Sequence, residues 1–449
     1  MNEKSTPFSG TQRRSELVGR LTLITVSMAL TLFAAEFVLE TVYPLHGITL
    51  TLDDRCHFKL IPNATKVFTH RPENGGESIL VRINSRGFRG DEFEPRKSAP
   101  RIVVYGDSFI YGEFSRLEDT FAHQLQAGLG EDRREPVEVI NAGVYAFGPD
   151  QVSRRLGPEL DLLRPDVLIV AIFSGNDYGD LLRNKIYRLD AHDDLVENDY
   201  RIAPGLRRQL DPDSLMNRFA IVRNVRVLAW RLKARVDSWR RRQDDVASND
   251  AVQSWLDARV TEYVEYVVEQ DNEVKSLFHD HYDADVSVSP NASSSVYKKR
   301  LMEGVIVRIR TIAEQRRVPL LLVFIPSPLD VCVDYDYKVN RSRFEGYGRR
   351  NLIDPLVDIA GRHGIAYVDL FDDFHRNGAD GFYFRSGDNH WNAAGQQRAA
   401  EVVKDFIVRE GLLPGNGVGV TGESPARERC SEDREHPDPD GGICPPGTK

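Results

Sequence analysis

The sequence predicts a doubly wound α/β domain interrupted by a helical insert, and two observations carry that reading. Short apolar, β-branched runs alternate with helical patterns over most of the chain, which specifies a parallel sheet covered on both faces. The alternation then breaks for more than a hundred residues, too long for a loop, so that stretch must hold structure of its own.

The elements follow in order. Leu21 to Ala35 carries no charge, and the apolar run resumes after Glu36 with Phe37, Val38 and Leu39. About 20 apolar residues cross a bilayer, so residues 21–39 read as a single span. Arg13, Arg14 and Arg20 precede it, while Glu36, Glu40, Asp53 and Asp54 follow. The positive-inside rule then puts residues 1–20 in the cytoplasm and the bulk outside, periplasmic in a Gram-negative cell. A signal peptide cleaved near Ala34-Ala35 is the alternative. Residues 40–99 read as a juxtamembrane segment of short strands and loops, with turn signals at Pro72 to Gly76 and Ser85 to Gly87.

Strands are predicted over 101–105, 137–140, 167–173, 319–325 and 365–370. Helices are predicted from about Glu118, then over 151–163, 300–317, 351–363 and 392–408. The main domain thus spans 100–412, with the insert at 181–296. In the insert, Val252, Trp255, Leu256, Val260, Tyr263 and Val267 recur at helical spacing behind a Ser248-Asn249 cap. A second helix is predicted from Asn217 to about Arg242, with Val222, Val225 and Leu228 on one side and many arginines elsewhere. It reads as a lid, as a basic surface for an anionic polymer or lipid headgroups, or as a solvated charged face. Residues 413–449 are rich in Pro, Gly and acid and read as disordered.

Composition excludes some functions. The net charge is -9, with 41% hydrophobic and 28% charged residues, so a core can be buried and no nucleic-acid partner is expected. The cysteines Cys56, Cys332, Cys430 and Cys444 are too few and scattered for a zinc site, and no metal or cofactor is expected. Outside the cytoplasm Cys430 and Cys444 can close a short loop, a disulfide worth about 3 kcal/mol in the chain-entropy model.

The chemistry-bearing residues fall at strand ends. Ser108 follows the first strand at the carboxyl edge of the sheet, where open α/β sheets place ligands. His390 follows the fifth strand and precedes the last helix, so it returns to the same edge. Histidine suits the base role because its ordinary pKa lies near neutrality, and Asp388 can support the imidazolium. Gly143 follows the second strand and Asn176 the third. With the Ser108 N–H they can form a three-donor oxyanion hole.

The segments YGDSF, INAG, SGND and DNHW, met in that order, resemble the four blocks that name the SGNH (GDSL-like) hydrolase superfamily. Upstream, INSRGFRGDEF resembles the lead-in of membrane-anchored bacterial members that act on acylated cell-envelope polysaccharide. The resemblance covers roughly residues 83–180 and 300–412. It implies a flavodoxin-like three-layer α/β/α sandwich with a five-stranded parallel sheet. It also implies Ser108 as nucleophile and oxyanion donor, Gly143 and Asn176 as further donors, and His390 as base. The expected activity is that of an extracytoplasmic O-acyl esterase or O-acyltransferase on acylated, chiefly acetylated, carbohydrate. A lipase or lysophospholipase, or a silent polysaccharide-binding assembly subunit, is the alternative.

One spacing departs from the family pattern. The acid position three residues before the histidine is Gly387, and the available acid, Asp388, stands two before it, as in the DxHW form of alginate O-acetyltransferase relatives. Either Asp388 reaches the imidazole from a different backbone geometry or the enzyme works as a Ser-His dyad.

Overall fold

The computed structural model describes residues 10–42, 49–70, 74–133, 135–226, 228–229, 248–277, 282–385 and 388–414. The Cys430-Cys444 closure and the tail beyond Pro414 lie outside the described residues. Leu413 is buried and Arg133 donates to the Pro414 carbonyl at 2.7 Å, so the packed body runs slightly past the expected boundary at 412.

An N-terminal helix, α1 (Gly10–Val42), is long and apolar enough to cross a membrane, and its Leu23, Ile24 and Phe33 are exposed. A signal sequence meets the same description. The five expected strands form one parallel sheet: β1 (Arg101–Tyr105), β2 (Glu138–Asn141), β3 (Val167–Phe173), β4 (Leu320–Ile325) and β5 (Ala366–Asp369). Their order is β2-β1-β3-β4-β5. Val103 lies between Ile140 and Leu168, and Leu322 opposite Val170, while Val323 faces Val368. This is the flavodoxin-like order, whose switch point falls between β1 and β3. All seven residues of β3 are buried, as a central strand covered on both faces requires.

Right-handed crossovers dictate which helix covers which face. After a single turn, α2 (Ser108–Tyr111), come α3 (Phe121–Arg133), α4 (Pro149–Leu163) and α5 (Asp177–Asn184). The insert helix is α6 (Ser248–Tyr263), followed by α7 (Ser293–Gln315), α8 (Asp354–Arg362) and α9 (Ala393–Arg409). α3 and α9 share one face, linked by Lys404 and Asp132 at 3.0 Å. α4, α7 and α8 share the other. Arg316 reaches Asp161 at 2.9 Å, and Glu303 holds His363 at 2.8 Å.

The insert differs from its predicted limits. α5 and α7 run unbroken through residues 181 and 296, because both bury apolar faces against the sheet domain. α6 forms as expected and continues as a π turn over Val264–Val268. The second insert helix is interrupted. Leu215–Arg218 is helical, Phe219 breaks the run with extended backbone, and residues 220–226 are helical again. The stretch from 231 to 242 lies outside the described residues.

Upstream, two antiparallel hairpins pair Leu50–Asp53 with His57–Leu60 and Thr65–Thr69 with Ser78–Arg82. A bridge between Arg89 and Asn141 ties this segment to the end of β2.

At the start of α4, Asp150 is 1% exposed, and one of its oxygens has no hydrogen-bond partner among the described residues. Burial pushes its carboxyl up to about 7, against hydrogen bonds from Asn184 and Gln151 that pull it down. Between its ordinary 3.8 and about 7 the folded chain keeps a proton that the unfolded chain releases, so this group's contribution to stability falls as pH rises through that window. Asp150→Asn removes the effect while retaining an oxygen for Asn184 and Gln151. It is therefore expected to raise the melting temperature more at pH 8 than at pH 4.5. An equal change at both values would contradict the assignment.

Candidate active site

The first turn after β1 is shaped by Asp107. Its side chain accepts from the Phe109 N–H at 2.9 Å and caps α2, setting Ser108 as the first helical residue at the carboxyl edge of the sheet. The turn ends at Gly112, whose φ of 70° is left-handed and suits glycine. Arg89, from the upstream lead-in, donates to the carbonyls of Tyr111, Gly112 and Ser115 and so satisfies groups the short helix leaves open. It is 4% exposed, and burial lowers its guanidinium to about 10. The sequence reading did not assign Arg89 a role. The signal was the INSRGFRGDEF segment itself, in which Asn84 accepts from the N–H groups of Arg86 and Phe88 to fold the bend.

His390 reaches Ser108 across 282 residues of sequence. Its Nε2 lies 2.8 Å from Ser108 Oγ, and its Nδ1 lies 2.8 Å from Asp388 Oδ1. A carboxylate only accepts, so the ring proton belongs on Nδ1 and leaves the Nε2 lone pair facing the hydroxyl. The two-residue spacing is explained by a local turn: the same Asp388 Oδ1 also accepts from the His390 N–H at 3.1 Å. One oxygen thus gathers both the backbone and the ring.

The loop carrying the pair is held on several sides. Tyr335 donates to the Asp388 carbonyl at 3.0 Å, and Phe384 N–H to the His390 carbonyl at 2.9 Å. The imidazole stacks on Phe109 at 5.0 Å, and the buried Trp391 donates to the Phe109 carbonyl at 3.2 Å. Asn74 exchanges two hydrogen bonds with the backbone of Arg385, each 3.1 Å, which ties the upstream hairpin to the same loop. Beside His390, Phe114, His70 and Phe384 form a half-buried aromatic wall. Phe114 lies 5.5 Å from His390, and His70 lies 4.9 Å from Phe384. Phe114 has a left-handed φ of 66°, an outlier for a bulky residue and a form of strain that concentrates at functional sites.

Gly143 packs against the nucleophile turn. A Cβ there would sit 2.3 Å from the Tyr111 nitrogen, so only glycine allows the approach. Asn141 secures it by donating to the Ile110 carbonyl at 2.7 Å. Its Oδ1 accepts the Gly143 N–H at 3.0 Å, so that N–H already has a partner within its own loop. Asn176 stands at the N-cap of α5, half-buried, and its Oδ1 is buried without a hydrogen-bond partner among the described residues. Its neighbour Asp177 accepts from the Phe173 N–H at 2.8 Å. Burial and the Asp107 and Asp180 carboxylates push the Asp177 carboxyl well above the usual range.

The Asn176 loop is braced by the insert. Asp283 donates its N–H to the Gly175 carbonyl at 2.7 Å and accepts the Gly179 N–H at 2.9 Å. Lys298 holds Asp283 at 2.9 Å and Asp285 at 2.8 Å, with all three side chains fully buried. This bracket was outside the sequence reading.

No family model and no curated protein matches the chain. Among solved structures it is similar to a lipase/acylhydrolase from Enterococcus faecalis, at 12% identity over 70% of this chain and 97% of that one, with a TM-score of 0.34. It is also similar to a member of the lipolytic G-D-S-L family from Veillonella parvula, at 11% identity over 69% and 100%, with a TM-score of 0.33. A third is the acetyl xylan esterase AlAXEase, at 11% identity over 68% and 99%, with a TM-score of 0.33. Similarities of this size do not reach function, which rests on the geometry of the site. That geometry joins Ser108, His390 and Asp388 by hydrogen bonds and sets Gly143 against the nucleophile turn, with Asn176 at the end of β3, on the sheet architecture that the resemblance to the SGNH hydrolases implies.

Proposed function

We propose that this chain is a membrane-anchored serine O-acyl esterase or O-acyltransferase, acting outside the cytoplasm on acylated, chiefly acetylated, carbohydrate through an acyl-Ser108 intermediate. The observation that carries the reading is the unbroken hydrogen-bond chain from Ser108 Oγ through His390 to Asp388. His390 Nε2 takes the Ser108 proton as Oγ bonds to the ester carbonyl carbon. The imidazolium, balanced by Asp388, then protonates the departing alkoxide as the C–O bond breaks. In the second half-reaction the same nitrogen deprotonates water or a sugar hydroxyl as its oxygen bonds to the acyl carbon; the acyl–Oγ bond then breaks and the imidazolium returns the proton to Ser108 Oγ. The Ser108 N–H and the Asn176 amide serve as oxyanion donors, and the Gly143 N–H contributes while shared with Asn141. The aromatic wall beside His390 supports a ring-shaped substrate, since sugars present an apolar face to such surfaces. The exposed apolar surface of α1 and its positive N-terminal flank support the anchor.

The assay is to incubate the chain with acetylated and deacetylated polysaccharide plus an acyl donor, following acetate release and acetyl transfer. Release identifies the esterase, transfer the transferase. Neither, with Ser108 unreactive, would favour a silent binding subunit.

The acid has its own test. Asp388→Asn can no longer act as a carboxylate toward Nδ1–H, but Phe109 still stacks on the ring. Its loss of turnover is expected to be roughly 10⁴-fold against roughly 10⁶-fold for His390→Ala, the hierarchy seen when such units are dissected. Equal losses would contradict the division of roles between the two residues.

A further inference from the structure

The outer end of α1 carries two carboxylates in an otherwise apolar run, and the structure gives each a partner in the insert. Glu36 accepts the N–H groups of Ala220 and Ile221 at 2.6 and 3.0 Å, one on each oxygen. These are donors that the start of the 220–226 helix would leave open, and the negative charge suits that end of the helix. Glu40 pairs with Arg223, which also donates to the carbonyls of Asn217 and Arg218 at 2.8 and 3.0 Å. A lone carboxylate among lipid tails is costly, and here the charge is spent on fixing the insert to the anchor.

This docking leaves a ridge outside. Ala220 and Arg223 are buried, whereas Phe219, Val222, Val225 and Leu228, three residues apart, are 42%, 39%, 61% and 58% exposed. On α1, Phe33, Phe37 and Val38 are exposed on either side of Glu36, so the two apolar surfaces are joined at its level. From Asn217 to Arg242 the sequence carries nine basic residues and one acid, Asp237. Glu36 lies three residues before the apolar run ends at Leu39, about 4.5 Å along the helix axis. Interfacial helices lie about 5–10 Å into the headgroup boundary, close to that shallow depth.

We propose that Phe219, Val222, Val225 and Leu228 of the insert form a second membrane contact. Its apolar ridge lies in the headgroup region of the bilayer that α1 spans, and Arg218 and Arg226 beside it meet anionic headgroups. A soluble anionic polymer would match the basic residues but would leave the ridge in water. The proposal rests on reading α1 as a retained membrane span.

The test uses the full chain in nanodiscs of phosphatidylcholine and phosphatidylglycerol. Cys430 and Cys444 are replaced by Ser, which leaves only the buried Cys56 and Cys332, and Val225→Cys carries an environment-sensitive fluorophore. Lipids bearing a spin label near the headgroup are expected to quench roughly half of its fluorescence, given the shallow depth expected. The same fluorophore at Leu162→Cys, on α4, is expected to be unaffected. Adding Glu36→Gln and Glu40→Gln is expected to weaken the Val225 quenching. If the chain resists alkaline extraction from membranes but the Val225 label is not quenched, the proposal is overturned and the anchor stands. If the chain is extracted, both fall. A label that responds to soluble anionic polysaccharide and not to the lipid quencher also overturns the proposal.

Discussion

Replacing Ser108 with Ala is expected to abolish ester turnover and leave the fold intact. Ser108 opens α2 in a half-buried position, and the turn is shaped by Asp107, Gly112 and Arg89, none of which depends on its hydroxyl. Removing one oxygen opens no core cavity, so the change in stability should be far below the roughly 2–5 kcal/mol of a core truncation. The loss of turnover should approach roughly 10⁶-fold, with the remainder held by the oxyanion donors. Matching thermal melts and sharply different rates of p-nitrophenyl acetate hydrolysis are the expected result. A variant that kept the wild-type rate would refute the mechanism.

Lys298→Met is expected to have the largest effect on stability. Lys298 is the cation between Asp283 and Asp285, and all three are removed from water. Burial pushes the Asp283 carboxyl up, and the ammonium pulls it back. Removing one member of such a group strands the others and costs about 3–5 kcal/mol, a drop in melting temperature on the order of 10 °C. Lower pH relieves the cost by protonating the stranded Asp283 carboxylate, so the deficit should shrink from pH 8 to pH 5. Turnover should also fall, because Asp283 holds the Gly175 carbonyl and the Gly179 N–H on either side of Asn176. Unchanged melts at pH 8 would show that the bracket does not hold the loop.

Much of this was legible in the sequence, for identifiable reasons. β3 is a continuous apolar run with no competing pattern, and its limits, Val167 and Phe173, were read correctly. The approach of His390 to Ser108 follows from strand order, since residues at the carboxyl ends of parallel strands share an edge whatever their separation. The spacing of Asp388 left triad and dyad open, because a consensus distance does not reveal that one oxygen can accept from both the backbone and the ring of His390. The partner of Gly143 was hidden because Asn141 belongs to the same motif and turns inward. Arg89, Asp283 and Lys298 were invisible for another reason: their roles are set by segments distant in sequence, and nothing local marks a charge destined for burial. The break at Phe219 belongs with these, since Glu36, some 180 residues away, provides the cap that restarts the helix.

If Ser108 is a nucleophile activated by His390, covalent capture will find it. The chain is treated with a fluorophosphonate at neutral pH, and the modified peptide is located by mass spectrometry. One phosphonylated residue, Ser108, is expected in the wild type, with labelling strongly slowed in His390→Ala and absent in Ser108→Ala. Labelling of another serine, or labelling of Ser108 at the same rate without His390, would contradict it.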